Sequence, residues 1–183
     1  AAILAGYYAP RGFAALGLGA DWAMATRIHH RAAYRMSFPH APGRWLGHAA
    51  MALETAGYQI LIDPFFTGNP KAAITADQAK ADFILISHGH GDHVGDSIDI
   101  AKRTGATIIS NYEICVWLEQ QGIKKVHGQQ HGGGFKHPFG YVKLTLAFHG
   151  SMLPDGSNGG NPCGFHITLN NGVKAYDPAD TGL

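Results

Sequence analysis

The stretch Ser87-His88-Gly89-His90-Gly91-Asp92-His93 is the most informative part of this chain. It follows the apolar run Ala81-Asp82-Phe83-Ile84-Leu85-Ile86, which predicts a buried strand. Because alternate residues of an extended chain point to the same side, His88 and His90 are expected to face one common point. The intervening glycines allow the backbone to turn tightly between these side chains.

Two more ligand-type residues, Asp92 and His93, complete the stretch and are expected to face a second point a few ångströms away. Neutral imidazole and carboxylate groups suit zinc, and also manganese or iron. A histidine-rich surface loop is the alternative interpretation, but the H-x-H-x-D-H order after an apolar strand favours a metal site. The spacing therefore predicts one metal held by imidazoles and a second held by carboxylate plus imidazole.

The composition is that of one globular domain. The chain has 183 residues, of which 45% are hydrophobic and 15% are charged, so a core is expected and disorder is not. The net charge of +1 gives no basis for a nucleic-acid or acidic-membrane partner. No apolar run is long enough to span a membrane.

The two cysteines form neither a C-x-x-C motif nor a disulfide framework, which fits a reducing, cytoplasmic location. Cys115 lies among apolar residues and is expected to be a buried thiol. Cys163 either ligates zinc or packs at the start of a strand, and its setting in Asn161-Pro162-Cys163-Gly164-Phe165 favours packing.

The chain from residue 44 onward alternates between strand and helix patterns. Strands are predicted within 45–54 (two, joined by a turn), 58–64, 81–86, 107–110, 123–126, 141–148, 163–169 and 173–176, and helices at 96–103 and 111–121. This alternation predicts an α/β layer. Residues 127–138 are predicted to be a Gly- and His-rich loop. Its histidines, His127, His131 and His137, are interpreted as surface residues rather than pocket residues.

Residues 1–44 differ from the rest, since five arginines stand against a single acid, Asp21, among many Ala and Gly residues. An organelle-targeting segment is one interpretation of such a composition. We favour an N-terminal extension at 1–44, followed by one domain at 45–183.

Three further polar residues lie at predicted strand ends. Asp63 either orients the metal loop or caps its own loop, and spacing alone does not separate these alternatives. His149 would supply the third imidazole that the first metal lacks. Asp180 would place a carboxylate where it could bridge two metals.

Several phrases of the sequence, taken together, resemble the metallo-β-lactamase superfamily. They are Trp45-Leu46-Gly47-His48-Ala49, Leu61-Ile62-Asp63-Pro64-Phe65, Gly68-Asn69-Pro70, His88-Gly89-His90-Gly91-Asp92-His93, Ala101-Lys102-Arg103-Thr104-Gly105-Ala106, Ala147-Phe148-His149-Gly150, Gly160-Asn161-Pro162-Cys163-Gly164-Phe165 and Asp180-Thr181-Gly182-Leu183. Within that superfamily they are similar to the uncharacterised metal-dependent hydrolases near the ascorbate-6-phosphate lactonases. The resemblance covers about residues 45–183, in the family order.

This resemblance implies an αββα sandwich with a dinuclear metal site at one edge of its sheets. It implies that the first metal is bound by His88, His90 and His149, the second by Asp92 and His93, and that Asp180 bridges them. The two divalent ions are expected to be zinc, with manganese as the alternative.

The resemblance also implies a metal-dependent hydrolase. A metal-bridging hydroxide would attack a small ester, lactone or phosphoester. Asp92 would be catalytic, because it could hold that hydroxide and pass a proton to the leaving group. His48 would face the mouth of the pocket. β-Lactams and nucleic acids are not expected substrates, the latter because the chain is nearly neutral, with a net charge of only +1.

Two departures from the family pattern qualify these expectations. In Tyr176-Asp177-Pro178-Ala179-Asp180 an aspartate, Asp177, stands where the family usually has histidine, so it is either an acid in the pocket or part of a distorted tip. The chain also ends at Leu183, where the family continues to a final histidine ligand. A C-terminally truncated sandwich is therefore expected, as a fragment, a truncated gene product or a subunit of a homo-oligomer. An inactive metal-binding domain of the same fold is the alternative function.

Overall fold

The computed structural model describes residues 2–3, 34–38 and 41–182. Most of the predicted extension at 1–44 lies outside these residues. The boundary predicted after residue 44 falls within the strand Ala41–Gly47, which pairs with the strand Tyr34–Phe38. The structural role of the remaining N-terminal residues stays a prediction.

Short strands and three helices make up the described part of the chain. The strands are β1 (Ala2–Ile3), β2 (Tyr34–Phe38), β3 (Ala41–Gly47), β4 (Ala50–Thr55), β5 (Tyr58–Ile62), β6 (Phe83–Leu85), β7 (Thr107–Asn111), β8 (Val126–Gln129), β9 (Gly134–His137), β10 (Gly140–Leu146), β11 (Cys163–Leu169) and β12 (Lys174–Asp177). The helices are α1 (Gly91–Val94), α2 (Ser97–Thr104) and α3 (Tyr112–Gln120), and Ala76–Gln78 form a 3₁₀ turn.

Within the described residues these strands form two sheets. The first sheet has the order β2-β3-β4-β5-β6-β7-β8, and the second has the order β1-β12-β11-β10-β9. Strands β5 to β8 run parallel to one another. Because the carboxyl ends of parallel strands meet at one edge of a sheet, the residues that follow β5, β6 and β7 are brought together there.

The hairpin predicted between β4 and β5 is confirmed. Ala56 and Gly57 occupy its turn with φ of +49° and +81°. Two successive positive φ values are the signature of a tight turn that matches the twist of the flanking strands. The predicted helices are also confirmed. Asn111 caps α3 by accepting a hydrogen bond from the backbone N–H of Ile114, and Gly105 ends α2 in a left-handed conformation.

Two hydrophobic cores hold the layers together. One lies between the sheets and includes Ile60 and Leu85 from the first sheet with Val142 and Phe165 from the second. The other lies on the opposite face of the first sheet, where α2 and α3 pack, and includes Trp117. This layering is the predicted α/β arrangement, with helices on one sheet and a second sheet on its other face.

Two predictions between α3 and β10 were wrong. The strand predicted at 123–126 is β8, which begins only at Val126, and the loop predicted at 127–138 contains most of β8 and all of β9. The Gly- and His-rich composition resembles a loop, but β9 is held by antiparallel pairing to β10, which the local sequence does not encode.

The interpretation of His137 as a surface residue was also wrong. Its ring is buried, with stacking against Phe139 and an edge contact to Phe83. Burial, with a smaller contribution from His127, lowers the pKa of His137 to about 4. His137 is therefore a neutral core residue. His127 and His131 are half-buried.

Among the described residues, the helices are too short to cross a membrane.

Candidate metal centre

The polar residues singled out in the sequence converge on one edge of the sandwich. His48 follows β3, Asp63 follows β5, and the stretch from His88 to His93 follows β6. The second sheet contributes His149 after β10 and Asp180 after β12. Strand ends that are far apart in the chain therefore supply one site.

A first cluster consists of three histidines whose ligand nitrogens lie within 4.8 Å of one another, His88, His90 and His149. Nε2 of His88 is 3.1 Å from Nδ1 of His90, and the ring of His149 lies 4.9 Å from both of the other rings, centroid to centroid. His88 is buried, whereas His149 is exposed. Burial, followed by the charge of His93, lowers the pKa of His88 to about 4. The neutral form, which binds metals, is therefore favoured.

Asp92 and His93 lie in a single helical turn, α1, which the sequence did not predict. His90 precedes this turn in extended conformation and Gly91 begins it. Because the chain changes from extended to helical between His90 and Asp92, the later ligands leave the backbone in a different direction from the earlier ones. Local geometry thus separates the stretch into two groups of ligands.

Asp63 connects His88 and His93, the buried histidines of the two groups of ligands. Its carboxylate accepts hydrogen bonds from the backbone N–H and the hydroxyl of Ser87, at 2.8 and 2.6 Å, and lies 2.8 Å from Nδ1 of His93. The hydroxyl of Ser87 is also 2.9 Å from Nδ1 of His88. With both Nδ1 atoms so engaged, Nε2 of each ring is left to bind a metal. Of the two roles considered for Asp63, this geometry supports orientation of the metal loop.

Asp180 lies between the two groups of ligands. Its Oδ2 is 3.2 Å from Nε2 of His93 and 3.9 Å from Nε2 of His149. The hydrogen bond from His93 lowers the pKa of Asp180 to about 2. Burial alone would lower the pKa of His93. The charges of Asp63 and Asp180, and the hydrogen bonds to them, outweigh the effect of burial and raise the pKa of His93 to about 10. Asp180 also closes a further cluster with His88 and His93.

Asp177 is buried and lies outside the three clusters of ligand groups found among the described residues. Its carboxylate accepts a hydrogen bond from the backbone N–H of Ala179, a residue with φ of +53°. Burial, together with the charge of Asp63, raises the pKa of Asp177 to about 7. Of the two roles considered for Asp177, these contacts support a place in the turn that follows β12 rather than a role as an acid that lines an open pocket.

Sequence reasoning missed the contact between the metal loop and the loop at 151–160. The backbone N–H of Gly89 donates to Oγ of Ser151 at 3.0 Å, and a side chain at Gly89 would collide with the Ser151 carbonyl oxygen. Asn111 holds the far end of the same loop, since its Nδ2 donates to the carbonyl oxygens of Gly159 and Asn161. Gly89, which lies between His88 and His90, was the feature of the sequence that could have indicated this close contact.

Cys163 is fully buried behind the metal loop, and its Sγ lies 3.2 Å from the Ser87 carbonyl oxygen. Neither it nor the buried Cys115 takes part in the ligand clusters of the described residues. The packing role favoured for Cys163 agrees with this position.

The side chains of the site fit divalent metal ions. Imidazole and carboxylate are the donors that zinc, manganese and iron accept, and here they converge. Nδ1 of His88 is already held by Ser87, and Nδ1 of His93 by Asp63. The third cluster adds His48 to Asp92 and His93, with Nε2 of His48 3.2 Å from Oδ2 of Asp92.

Comparison with known proteins agrees with this fold. Residues 58–183 match the family model described as the beta-lactamase superfamily domain. The chain belongs to this superfamily, and the fold predicted from the resemblance is confirmed.

Two curated relatives show a more specific similarity within this superfamily. The chain is 51% identical over 142 residues to a protein of Heliobacterium modesticaldum named UPF0173 metal-dependent hydrolase, covering 76% of this chain and 59% of the relative. It is also 51% identical over 138 residues to a protein of the same name from Flavobacterium johnsoniae, covering 75% of this chain and 60% of the relative. The chain thus spans about three fifths of the length of the relatives it matches.

Solved structures show the same architecture. A metallo hydrolase from the archaeon Ignicoccus hospitalis superposes with a TM-score of 0.65 at 36% identity, over 76% of this chain and 60% of that one. A diiron beta-hydroxylase from Streptomyces venezuelae superposes with a TM-score of 0.61 at 18% identity, over 78% of this chain and 30% of that one, which shows a shared fold alone.

Proposed function

We propose that this protein is a metal-dependent hydrolase that acts on a small ester, lactone or phosphoester. The observation that carries the proposal is the convergence of His88, His90 and His149 with Asp180 next to Nε2 of His93. The names of the relatives, metal-dependent hydrolase and metallo hydrolase, support the same reaction class. We further propose two divalent ions, zinc in preference to manganese, and a cytoplasmic location.

A bound divalent ion would supply a coordinated water with a pKa near 7 and would polarise the substrate's carbonyl or phosphoryl oxygen. The chain's own residues prepare this site by fixing imidazole orientation through Asp63 and Ser87. Asp92 has a half-exposed side chain on the open side of the site. As the proposed catalytic carboxylate, Asp92 would take a proton from the nucleophile and deliver it to a leaving group.

The test is hydrolysis of nitrophenyl esters, lactones and nitrophenyl phosphodiesters by the zinc-loaded chain and by two variants. His88→Ala removes a buried ligand and is expected to abolish turnover and to lower the zinc content. His166→Ala is the matched control, because His166 is half-buried on β11 and lies in none of the ligand clusters described above. Undiminished turnover in His88→Ala would contradict the proposal. Zinc binding without turnover of any substrate would favour the alternative of an inactive metal-binding domain.

A further inference from the structure

The hydroxyl of Ser151 joins the two parts of the chain that supply the first ligand cluster. His88 and His90 come from the metal loop after β6, whereas His149 follows β10 of the second sheet. Ser151 lies two residues beyond His149, and its Oγ accepts a hydrogen bond from the backbone N–H of Gly89 at 3.0 Å. Gly89 is itself the residue between His88 and His90. One hydrogen bond therefore connects the segment that carries two of the imidazoles to the segment that carries the third.

Close backbone packing surrounds this hydrogen bond. A Cβ at Gly89 would lie 2.8 Å from the carbonyl oxygen of Ser151, and one at Gly159 would lie 2.7 Å from the Oγ of Ser151. A Cβ at Gly150 would lie 3.3 Å from Nε2 of His90, so the backbone just before Ser151 passes beside that ring. Because these backbones are in close contact, a change at Ser151 is transmitted to the metal loop.

Both hydrogen-bonding functions of the Ser151 hydroxyl are used. A hydroxyl has one hydrogen to donate and lone pairs that accept. The Ser151 hydroxyl donates to the carbonyl oxygen of Gly159 at 3.1 Å, so its lone pairs are left for the N–H of Gly89. The N–H of Gly159 donates in return to the Ser151 carbonyl oxygen at 2.7 Å. The direction of the hydroxyl is therefore fixed by the loop at 151–160.

Helix α3 holds the same loop from another side. Nδ2 of Asn111 donates to the carbonyl oxygen of Gly159 at 2.7 Å, so this oxygen accepts from both Asn111 and Ser151. Elsewhere in the loop, the indole Nε1 of Trp117 donates to Oδ2 of Asp155 at 2.6 Å. A continuous path of hydrogen bonds thus runs from α3 through Gly159 and Ser151 to the metal loop.

We propose that Ser151 is a positioning residue for the first metal ion. By holding Gly89, it fixes His88 and His90 against His149 before an ion arrives. Ligands that are already held in their binding geometry bind an ion more tightly, because less conformational freedom is lost on binding. In this role Ser151 touches neither the ion nor a substrate. The inference rests on the proposed metal-dependent function, and it is tested by metal binding and hydrogen exchange rather than by turnover.

The decisive variant is Ser151→Ala, which removes the acceptor and leaves the buried N–H of Gly89 without its partner. Ser157→Ala is the matched control. It makes the same chemical change in the same loop, where the exposed hydroxyl of Ser157 donates to Oδ1 of Asp155. Urea denaturation of both metal-free variants establishes that they are folded before metal is added.

The first measurement is metal affinity, by titration of zinc against a chromophoric chelator. We expect the first zinc ion to bind about 10- to 100-fold more weakly to Ser151→Ala, the usual loss when a group that orients a metal ligand is removed. Ser157→Ala is expected to match the unchanged chain. Cobalt(II) in place of zinc reports ligand geometry through its visible absorption spectrum, which we expect to change in Ser151→Ala alone. A residue that merely supports the fold would leave this spectrum unaltered.

The second measurement uses the unchanged chain and depends on no variant. Amide hydrogen exchange is followed by NMR as the first equivalent of zinc is added. Because the hydroxyl couples the two segments, exchange at Gly89 and Gly159 is expected to slow together. Gly172 is the control, since its N–H donates to the Leu169 carbonyl oxygen in the turn after β11, and its exchange is expected to stay constant.

Equal zinc affinities and equal cobalt spectra for Ser151→Ala and the unchanged chain would overturn the proposal. An equal loss in Ser157→Ala would also overturn it, because the loop as a whole and not the Ser151 hydroxyl would then be responsible. Slower exchange at Gly89 with no change at Gly159 would contradict the coupling. These three results leave the proposed function intact, whereas a lack of zinc binding by the unchanged chain would overturn that function and the role of Ser151 together.

Discussion

The carboxylate of Asp63 lies 2.8 Å from Nδ1 of His93, and both side chains are almost completely buried. The same carboxylate accepts two hydrogen bonds from Ser87, whose hydroxyl also contacts His88. One buried acid therefore orients the imidazole of His93 directly and that of His88 through the hydroxyl of Ser87. Its φ of +45° shows that the backbone is strained to place it there.

Asp63→Asn tests this relationship. The change keeps the positive φ accessible but removes the charge that holds the two rings, so we expect zinc affinity to fall about 10- to 100-fold. Asp82→Asn is the control, because Asp82 also accepts a backbone hydrogen bond, from Gln59, but is exposed and remote from the metal loop. Equal zinc affinities for both variants in a chelator competition would refute the role of Asp63.

Two glycines of the metal loop are expected to respond differently to alanine. At Gly89 a Cβ would lie 2.8 Å from the Ser151 carbonyl oxygen, so Gly89→Ala must displace the loop at 151–160 or the metal loop itself. We expect a loss of about 1–3 kcal/mol in the free energy of unfolding, as for other overpacked sites, together with weaker zinc binding. At Gly91 a Cβ meets open space, and Gly91→Ala is expected to be neutral or to stabilise slightly. Chemical denaturation of both variants, followed by zinc titration, measures the difference, and similar losses in both would contradict the contact.

Asn111 joins a helix cap to the loop that packs on Gly89. Asn111→Asp keeps an oxygen for the N–H of Ile114 but places a carboxylate against the carbonyl oxygens of Gly159 and Asn161. We expect Asn111→Asp to lose about 1–3 kcal/mol in stability, the cost of leaving buried polar groups unpaired. In Asn170→Asp the lost bond, to the Pro138 carbonyl oxygen, is exposed and the effect should be smaller. Thermal denaturation of the two variants decides whether the buried bonds matter.

Asp177 makes the stability of the metal-free protein depend on pH. Burial and the charge of Asp63 raise its folded pKa to about 7 from the ordinary 3.8, so the folded state holds a proton that the unfolded state has released. Stability should therefore fall as pH rises from about 4 to about 7 and then level off. Asp177→Asn removes this dependence and should raise stability at pH 8 by up to about 4 kcal/mol, with little change at pH 4.

The control for this effect is Asp99→Asn, which alters an exposed aspartate of α2. The measurement is urea denaturation of metal-free protein at pH 4, 6 and 8. A stability difference between Asp177→Asn and the unchanged chain that is constant over this range would show that the folded pKa of Asp177 is ordinary.

The parts of the site that sequence could predict are those encoded within a few residues. His88, His90, Asp92 and His93 follow one apolar strand, so their spacing alone indicates ligands. His149 and Asp180 were identified as residues at strand ends, and the structure brings them to the same edge because their strands belong to one sheet. Their proximity comes from tertiary packing, which spacing does not report.

Other features depended on pairing and could not be predicted from local patterns. The position of His48 beside Asp92 results from a register shift between β3 and β4 and from the contact of Gly47 with Lys71. In the same way, β9 is a strand because it pairs with β10, although its own residues resemble a loop. Local composition describes a segment, whereas these contacts involve segments distant in the chain.

The first ligand cluster takes two histidines from the first sheet and one, His149, from the second. An ion bound by all three would therefore be a reversible cross-link that closes a long loop of the chain and clamps the two halves of the sandwich at one rim. Removing the ion would leave the residues of the core unchanged, but the two sheets would be free to separate at that rim. The availability of zinc would then control the protein's resistance to proteolysis as well as the presence of a metal-bound nucleophile.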